Sequence, residues 1–190
     1  MTQYQTYEKQ SEIALTKVKP QLRTGDDWLD LSCFVPPLTT LPSLYVIPRL
    51  KEIDLSMNEI KEFPELLYEC KGLTYLSLAH NKLTKLPDIG SVFSNLEVLD
   101  VSYNELDSVC DFSQMQNLQK IFLSGNKLKD VPMSLCNLKS LKEIHLDHNL
   151  LTSIPHQLQS MNLEVFKLEG NQLRSETSNF LQGFFESKRK

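Results

Sequence analysis

Residues Leu96 to Asn104 read LEVLDVSYN. Five further stretches repeat the pattern: LKEIDLSMN ending at Asn58, LTYLSLAHN at Asn81, LQKIFLSGN at Asn126, LKEIHLDHN at Asn149 and LEVFKLEGN at Asn171. The asparagines follow one another at 23, 23, 22, 23 and 22 residues. A period this even marks one supersecondary unit stacked on copies of itself, each too small to bury its apolar side alone. Within the quoted copy Leu99 and Val101 are two apart, so they share one face of a short strand. Their counterparts are Ile53/Leu55, Leu76/Leu78, Ile121/Leu123, Ile144/Leu146 and Phe166/Leu168.

Each asparagine is followed two residues on by another inward position: Ile60, Leu83, Leu106, Leu128, Leu151 or Leu173. The return segment often opens on an apolar residue and proline, as at Phe63-Pro64, Leu86-Pro87, Val131-Pro132 and Ile154-Pro155. Proline has no N–H to donate and suits an outer turn outside any ladder. The asparagines call for a separate reason. Where the chain leaves the strand and bends inward, buried backbone groups have no sheet partner, and a carboxamide offers both donors and an acceptor. The column Asn58, Asn81, Asn104, Asn126, Asn149 and Asn171 is therefore expected to be a structural ladder that bonds the bends of adjacent coils.

The pattern divides the chain. Residues 27–174 form the repeat domain, with a degenerate first coil over 27–49 and six regular repeats from residue 50. Leu29 and Leu31 precede Ile53 and Leu55 by 24 residues, whereas Leu38 and Leu41 precede Ile60 and Phe63 by 22. Two extra residues near Val35-Pro-Pro37 reconcile the offsets, and Phe34 stands where an Asn is expected. Residues 1–26 do not repeat. A short helix within Glu8 to Lys19, ending before Pro20, is expected there as an N-terminal helical cap. Residues 175–190 are expected to form a C-terminal capping helix and basic tail, with Ser175 to Ser178 offering N-cap residues. The stripe of Phe180, Leu181, Phe184 and Phe185 would seal the last coil or dock a partner.

The units, L-x-x-L-x-L-x-x-N-x-L-x-x-[LFVI]-P-x-x-L, resemble the small intracellular leucine-rich repeat proteins, including the Ras-suppressor type and the intracellular Ras-group proteins. The match is good from Leu50 to Leu173 and loose from Trp28 to Arg49. It departs at Val109-Cys110, where the proline is missing. The resemblance implies an α/β solenoid, a horseshoe with a parallel sheet on its concave side, and a protein-binding role. It also implies an alternative role as regulatory subunit of a signalling enzyme, in a phosphatase or small GTPase pathway.

Composition narrows the function classes. A net charge of −4 with both signs interspersed makes a poor binder of phosphate backbones. No run of ~18 apolar residues could span a membrane, and the N-terminus lacks a signal-peptide profile. The four cysteines, Cys33, Cys70, Cys110 and Cys136, show no C-x-x-C spacing, and no N-x-[ST] sequon occurs. A reduced, cytoplasmic compartment and a monomer are expected. The sequence holds no phosphate-cradling glycine loop and no nucleophile motif, so neither catalysis nor a cofactor is expected. A remote alternative is a metal-dependent enzyme at His145, Asp147 and His148, because imidazole and carboxylate can bind a transition metal. The matching positions of the flanking coils, Ser124, Gly125, Glu169 and Gly170, offer no obvious fourth ligand.

Binding is better supported, because periodicity assigns the outward positions. The first column is Glu52, Tyr75, Val98, Lys120, Glu143, Val165, and the second is Asp54, Ser77, Asp100, Phe122, His145, Lys167. A third runs Ser56, Ala79, Ser102, Ser124, Asp147, Glu169, and an edge column runs Met57, His80, Tyr103, Gly125, His148, Gly170. Large apolar groups fall together at Tyr75, Val98, Tyr103 and Phe122, and aromatics are enriched at interface hot spots. The expected partner surface comprises Tyr75, His80, Val98, Asp100, Tyr103, Lys120, Phe122, His145 and His148. Six strands at ~4.8 Å span roughly 25 Å, which suits a segment of another protein better than a small molecule.

Overall fold

In a computed structural model the described residues are Thr16, 26–41 and 49–174. Seven three-residue strands form one parallel sheet in sequence order: β1 (Trp28–Asp30), β2 (Glu52–Asp54), β3 (Tyr75–Ser77), β4 (Val98–Asp100), β5 (Lys120–Phe122), β6 (Glu143–His145) and β7 (Val165–Lys167). The central residue of every strand is buried, and the register runs Leu29, Ile53, Leu76, Leu99, Ile121, Ile144, Phe166 without a slip. The degenerate coil is therefore a full member of the sheet. Leu38 N–H takes the place of Ile60 N–H in the asparagine ladder, so the offset of 22 residues on the return side also holds.

The expected caps at 1–26 and 175–190 fall almost wholly outside the described residues. Within the repeat domain, the helical half expected of an α/β coil is reduced. The described return segments contain short 3-10 helices at Glu65–Glu69, Met133–Asn137 and His156–Ser160, and no α-helix. Coils of this length leave too few residues for the three turns of a typical α-helix, and the tighter 3-10 turn serves in short pieces. Pro64, Pro132 and Pro155 stand at the N-caps of these turns. In the two coils between, aspartate starts the bend instead: Gly90 N–H donates to Asp88 Oδ1 at 3.2 Å and Ser113 N–H to Asp111 Oδ1 at 2.8 Å. Phe93 and Phe112 fill the interior of these coils and are fully buried.

The core is one continuous apolar column from Leu29 to Leu168. Beside it the asparagine ladder repeats the same bonds at each step. Asn104 Nδ2 donates to Val101 O of its own coil (3.1 Å) and Leu78 O of the coil before (2.9 Å), while its Oδ1 accepts from Leu83 N–H (2.9 Å). Asn58, Asn81, Asn126, Asn149 and Asn171 make the equivalent bonds. Phe34 occupies the corresponding place in the first coil and is buried. No helix among the described residues is long and apolar enough to cross a membrane.

Candidate functional site: the concave sheet face

The first and last residue of every strand point away from the core, so the outer face of the sheet follows from the register alone. The first column runs Trp28, Glu52, Tyr75, Val98, Lys120, Glu143, Val165, and the second Asp30, Asp54, Ser77, Asp100, Phe122, His145, Lys167. Trp28 and Asp30 head these columns and were missing from the sequence-derived surface. The 24-residue offset of Leu29 to Ile53 was the signal that could have included them.

The columns are not equally accessible. Ser77, Ala79, Ser102 and Ser124 are buried despite facing outward. Small side chains beneath larger neighbours at strand spacing are covered. Asp100 Oδ1 accepts from both Ser102 N–H (2.9 Å) and Ser102 Oγ (2.6 Å), and Ser124 Oγ donates to Asp147 Oδ1 at 2.6 Å. The third column is thus a floor in its middle, at Ala79, Ser102 and Ser124, while Ser56, Asp147 and Glu169 at its ends keep some exposure.

The residues expected to bind a partner all retain some exposure, but they fall into separate groups. Tyr75 and Val98 are register neighbours in the first column. Burial raises the Tyr75 hydroxyl pKa above its ordinary value, and the charge of Asp54 adds to the shift. Further along, Phe122 meets the His145 ring edge-on at a centroid distance of 4.6 Å. His145 Nε2 lies 2.8 Å from Glu143 Oε1, and Lys120 Nζ lies 3.1 Å from Glu143 Oε2. Burial pushes the Glu143 carboxyl up, but these two partners together outweigh it and hold it below the usual range.

The edge column has its own backbone rule. Cys33, Met57, His80, Tyr103 and His148 all have positive φ, between 49° and 57°, as do Gly125 (65°) and Gly170 (70°). The left-handed conformation is sparsely used by non-glycine residues and turns each side chain along the edge. His80 stacks on Tyr103 at 4.4 Å with planes 9° apart. Tyr103 in turn covers Gly125, where an added Cβ would lie 2.6 Å from the ring, and His148 covers Gly170. Cys33 Sγ lies 3.3 Å from Met57 Sδ. Glycine is required where a neighbouring ring occupies the space a Cβ would take.

The proposed metal ligands do not converge. His145 is engaged with Glu143 and Phe122, Asp147 with Ser124, and His148 lies over Gly170. Among the described residues no three His, Cys, Asp or Glu side chains form a group that could hold a metal ion. The cysteines are all free thiols. Burial raises Cys70 and Cys110 to about 11 and pushes Cys136 up, the opposite of an activated nucleophile.

A sequence profile of the leucine rich repeat family matches residues 71–128 and 116–173, together more than half of the chain. The chain belongs to the leucine-rich repeat family. A leucine-rich repeat protein of Leptospira interrogans is similar in structure, with TM-score 0.73 and 29% identity over 79% of this chain and 39% of its own. An internalin of Listeria monocytogenes shares the fold, with TM-score 0.60 and 22% identity over 72% of this chain and 39% of its own. The chain therefore spans less than half the length of either structure. No curated protein matches it. Leucine-rich repeat domains are commonly protein-interaction modules, and stacked repeats produce the extended concave surfaces such modules use.

Proposed function

We propose that this leucine-rich repeat domain is a non-catalytic module that binds another protein on its concave face. The observation that carries the reading is the pair of aromatic groups at that face, Phe122 against His145 and Tyr103 against His80, with Tyr103 48% exposed. Preorganised rings lose little side-chain freedom on binding, which is why aromatic anchors dominate interface energetics. Lys120, Asp100 and His148 around them supply the polar rim that orients a partner.

The test replaces Tyr103 and Phe122 together by Ala and compares the proteins captured from lysate with those held by the parent chain. The expected outcome is loss of the captured set while far-UV circular dichroism and the thermal transition stay close to the parent's. An unchanged captured set with a folded double variant would move the interface to another surface.

A further inference from the structure

At the N-terminal end of the concave face lies a cleft of about 220 Å³, lined by Trp28, Leu29, Asp30, Glu52, Asp54 and Tyr75. The register makes it a small grid. Trp28, Glu52 and Tyr75 stand side by side in the first column, and Asp30 stands opposite Asp54 in the second. Two rings therefore flank one carboxylate, and two more carboxylates line the adjacent row. Trp28 is 44% exposed.

Like charges directly opposite on neighbouring strands destabilise a sheet. Among the described residues four carboxylates have a lysine from this chain, Glu143 with Lys120, Glu59 with Lys82, Glu105 with Lys127 and Glu164 with Lys142, so an unpaired carboxylate is not in itself unusual; here three stand together. Among the described residues, Asp30, Glu52 and Asp54 have no such cation. One oxygen of Asp30 accepts from Ser32 and one of Asp54 accepts from Ser56 N–H, leaving the second oxygen of each without a protein hydrogen bond there. The first two columns carry no Lys or Arg from β1 to β4 and acquire Lys120 and Lys167 only beyond. Among the described residues the charges lining the cleft are all negative, and two of its lining side chains, Trp28 and Tyr75, are aromatic.

We propose that this cleft receives an arginine side chain of the partner protein, a reading that rests on the concave face being the protein-binding face. The planar guanidinium stacks on the Trp28 or Tyr75 ring while its N–H groups donate to Glu52 and Asp54. Arginine fits better than lysine because it is planar, weakly hydrated and able to donate in a fork to carboxylates.

Trp28 is the only tryptophan in the chain, so its fluorescence reports on the cleft directly. The full chain is titrated at low salt with the peptide acetyl-Ser-Gly-Arg-Gly-Arg-Gly-Ser-amide, and with the same peptide carrying citrulline for arginine. The expected result is a saturable change of Trp28 emission with the arginine peptide, at least tenfold weaker with citrulline and weakened by added salt. The Glu52→Gln/Asp54→Asn double variant, folded by circular dichroism, should weaken binding of the arginine peptide by about tenfold or more, as expected for loss of charged hydrogen bonds. Equal responses to the two peptides, or an undiminished response in the folded double variant, overturn the proposal. So does a shift of Trp28 emission in peptide-free protein on deleting Lys188–Lys190, which would make the chain's own tail the occupant. A shift on raising protein concentration would make the occupant a second copy, with the same consequence. If the arginine peptide fails while partner capture still depends on Tyr103 and Phe122, this inference falls and the binding reading stands. If capture is indifferent to Tyr103 and Phe122 but the arginine response holds, the cleft takes arginine while the two rings are ruled out as the partner's anchor.

Discussion

Tyr103 and Asn104 are consecutive residues in equivalent positions of every regular coil, yet they obey opposite rules. The asparagine column holds one residue type with the same bonding at each step, whereas the edge column holds Met57, His80, Tyr103, Gly125, His148 and Gly170. The interior side chain must satisfy buried backbone groups of two coils at once, and only a carboxamide has the donors and the acceptor. The edge residue need only adopt a left-handed turn, and its side chain is free to differ. What repeats in this molecule is whatever the next coil must meet.

Substitutions along the two columns should reproduce that contrast. Asn104→Ala removes the partner of Leu83 N–H and of the Leu78 and Val101 carbonyls, all buried. It should cost about 3 kcal/mol in urea unfolding, the upper range for orphaned buried polar groups. A loss below ~1 kcal/mol would mean that the bends can be satisfied otherwise and would erase the contrast.

Gly125→Ala should cost less, about 1–2 kcal/mol, because it places a Cβ at positive φ and against the Tyr103 ring. Made in a Tyr103→Ala background the penalty should shrink toward the backbone part alone. An unchanged penalty would show that the ring does not set the glycine requirement.

Tyr103→Gly should sit near the bottom of the scale, within ~1 kcal/mol of the parent in thermal unfolding. Relief of the left-handed backbone offsets the loss of the stacking contact with His80. A destabilisation comparable to that of Asn104→Ala would place the edge column among the structural residues. Lys120→Ala should be smaller still, about 0.5 kcal/mol or less, since its pair with Glu143 leaves the lysine half-exposed.

The legibility of the molecule follows the same division. The inward positions, the ladder and the two offsets of the first coil were all readable, because a repeat multiplies a weak signal by the number of its copies. The 3-10 form of the return turns was not, since the apolar spacing and the prolines mark an outer turn without saying how tightly it winds. At the candidate site, periodicity named the columns correctly but treated them as equally free. It could not show that Ser77, Ala79, Ser102 and Ser124 lie buried beneath their neighbours, or that Tyr103 lies along the edge while Phe122 packs against His145.

By itself, then, the sequence determined the stacking, the strand register and which residues face the core, because these depend on spacing along the chain. The tertiary structure decided which outward residues remain accessible and which carboxylates acquire a cation. Those outcomes depend on contacts between side chains some 23 residues apart, whose sizes and charges differ at every coil. That is why Trp28, outside the best-matching repeats, emerges beside Glu52 and Tyr75 only when β1 takes its place in the sheet.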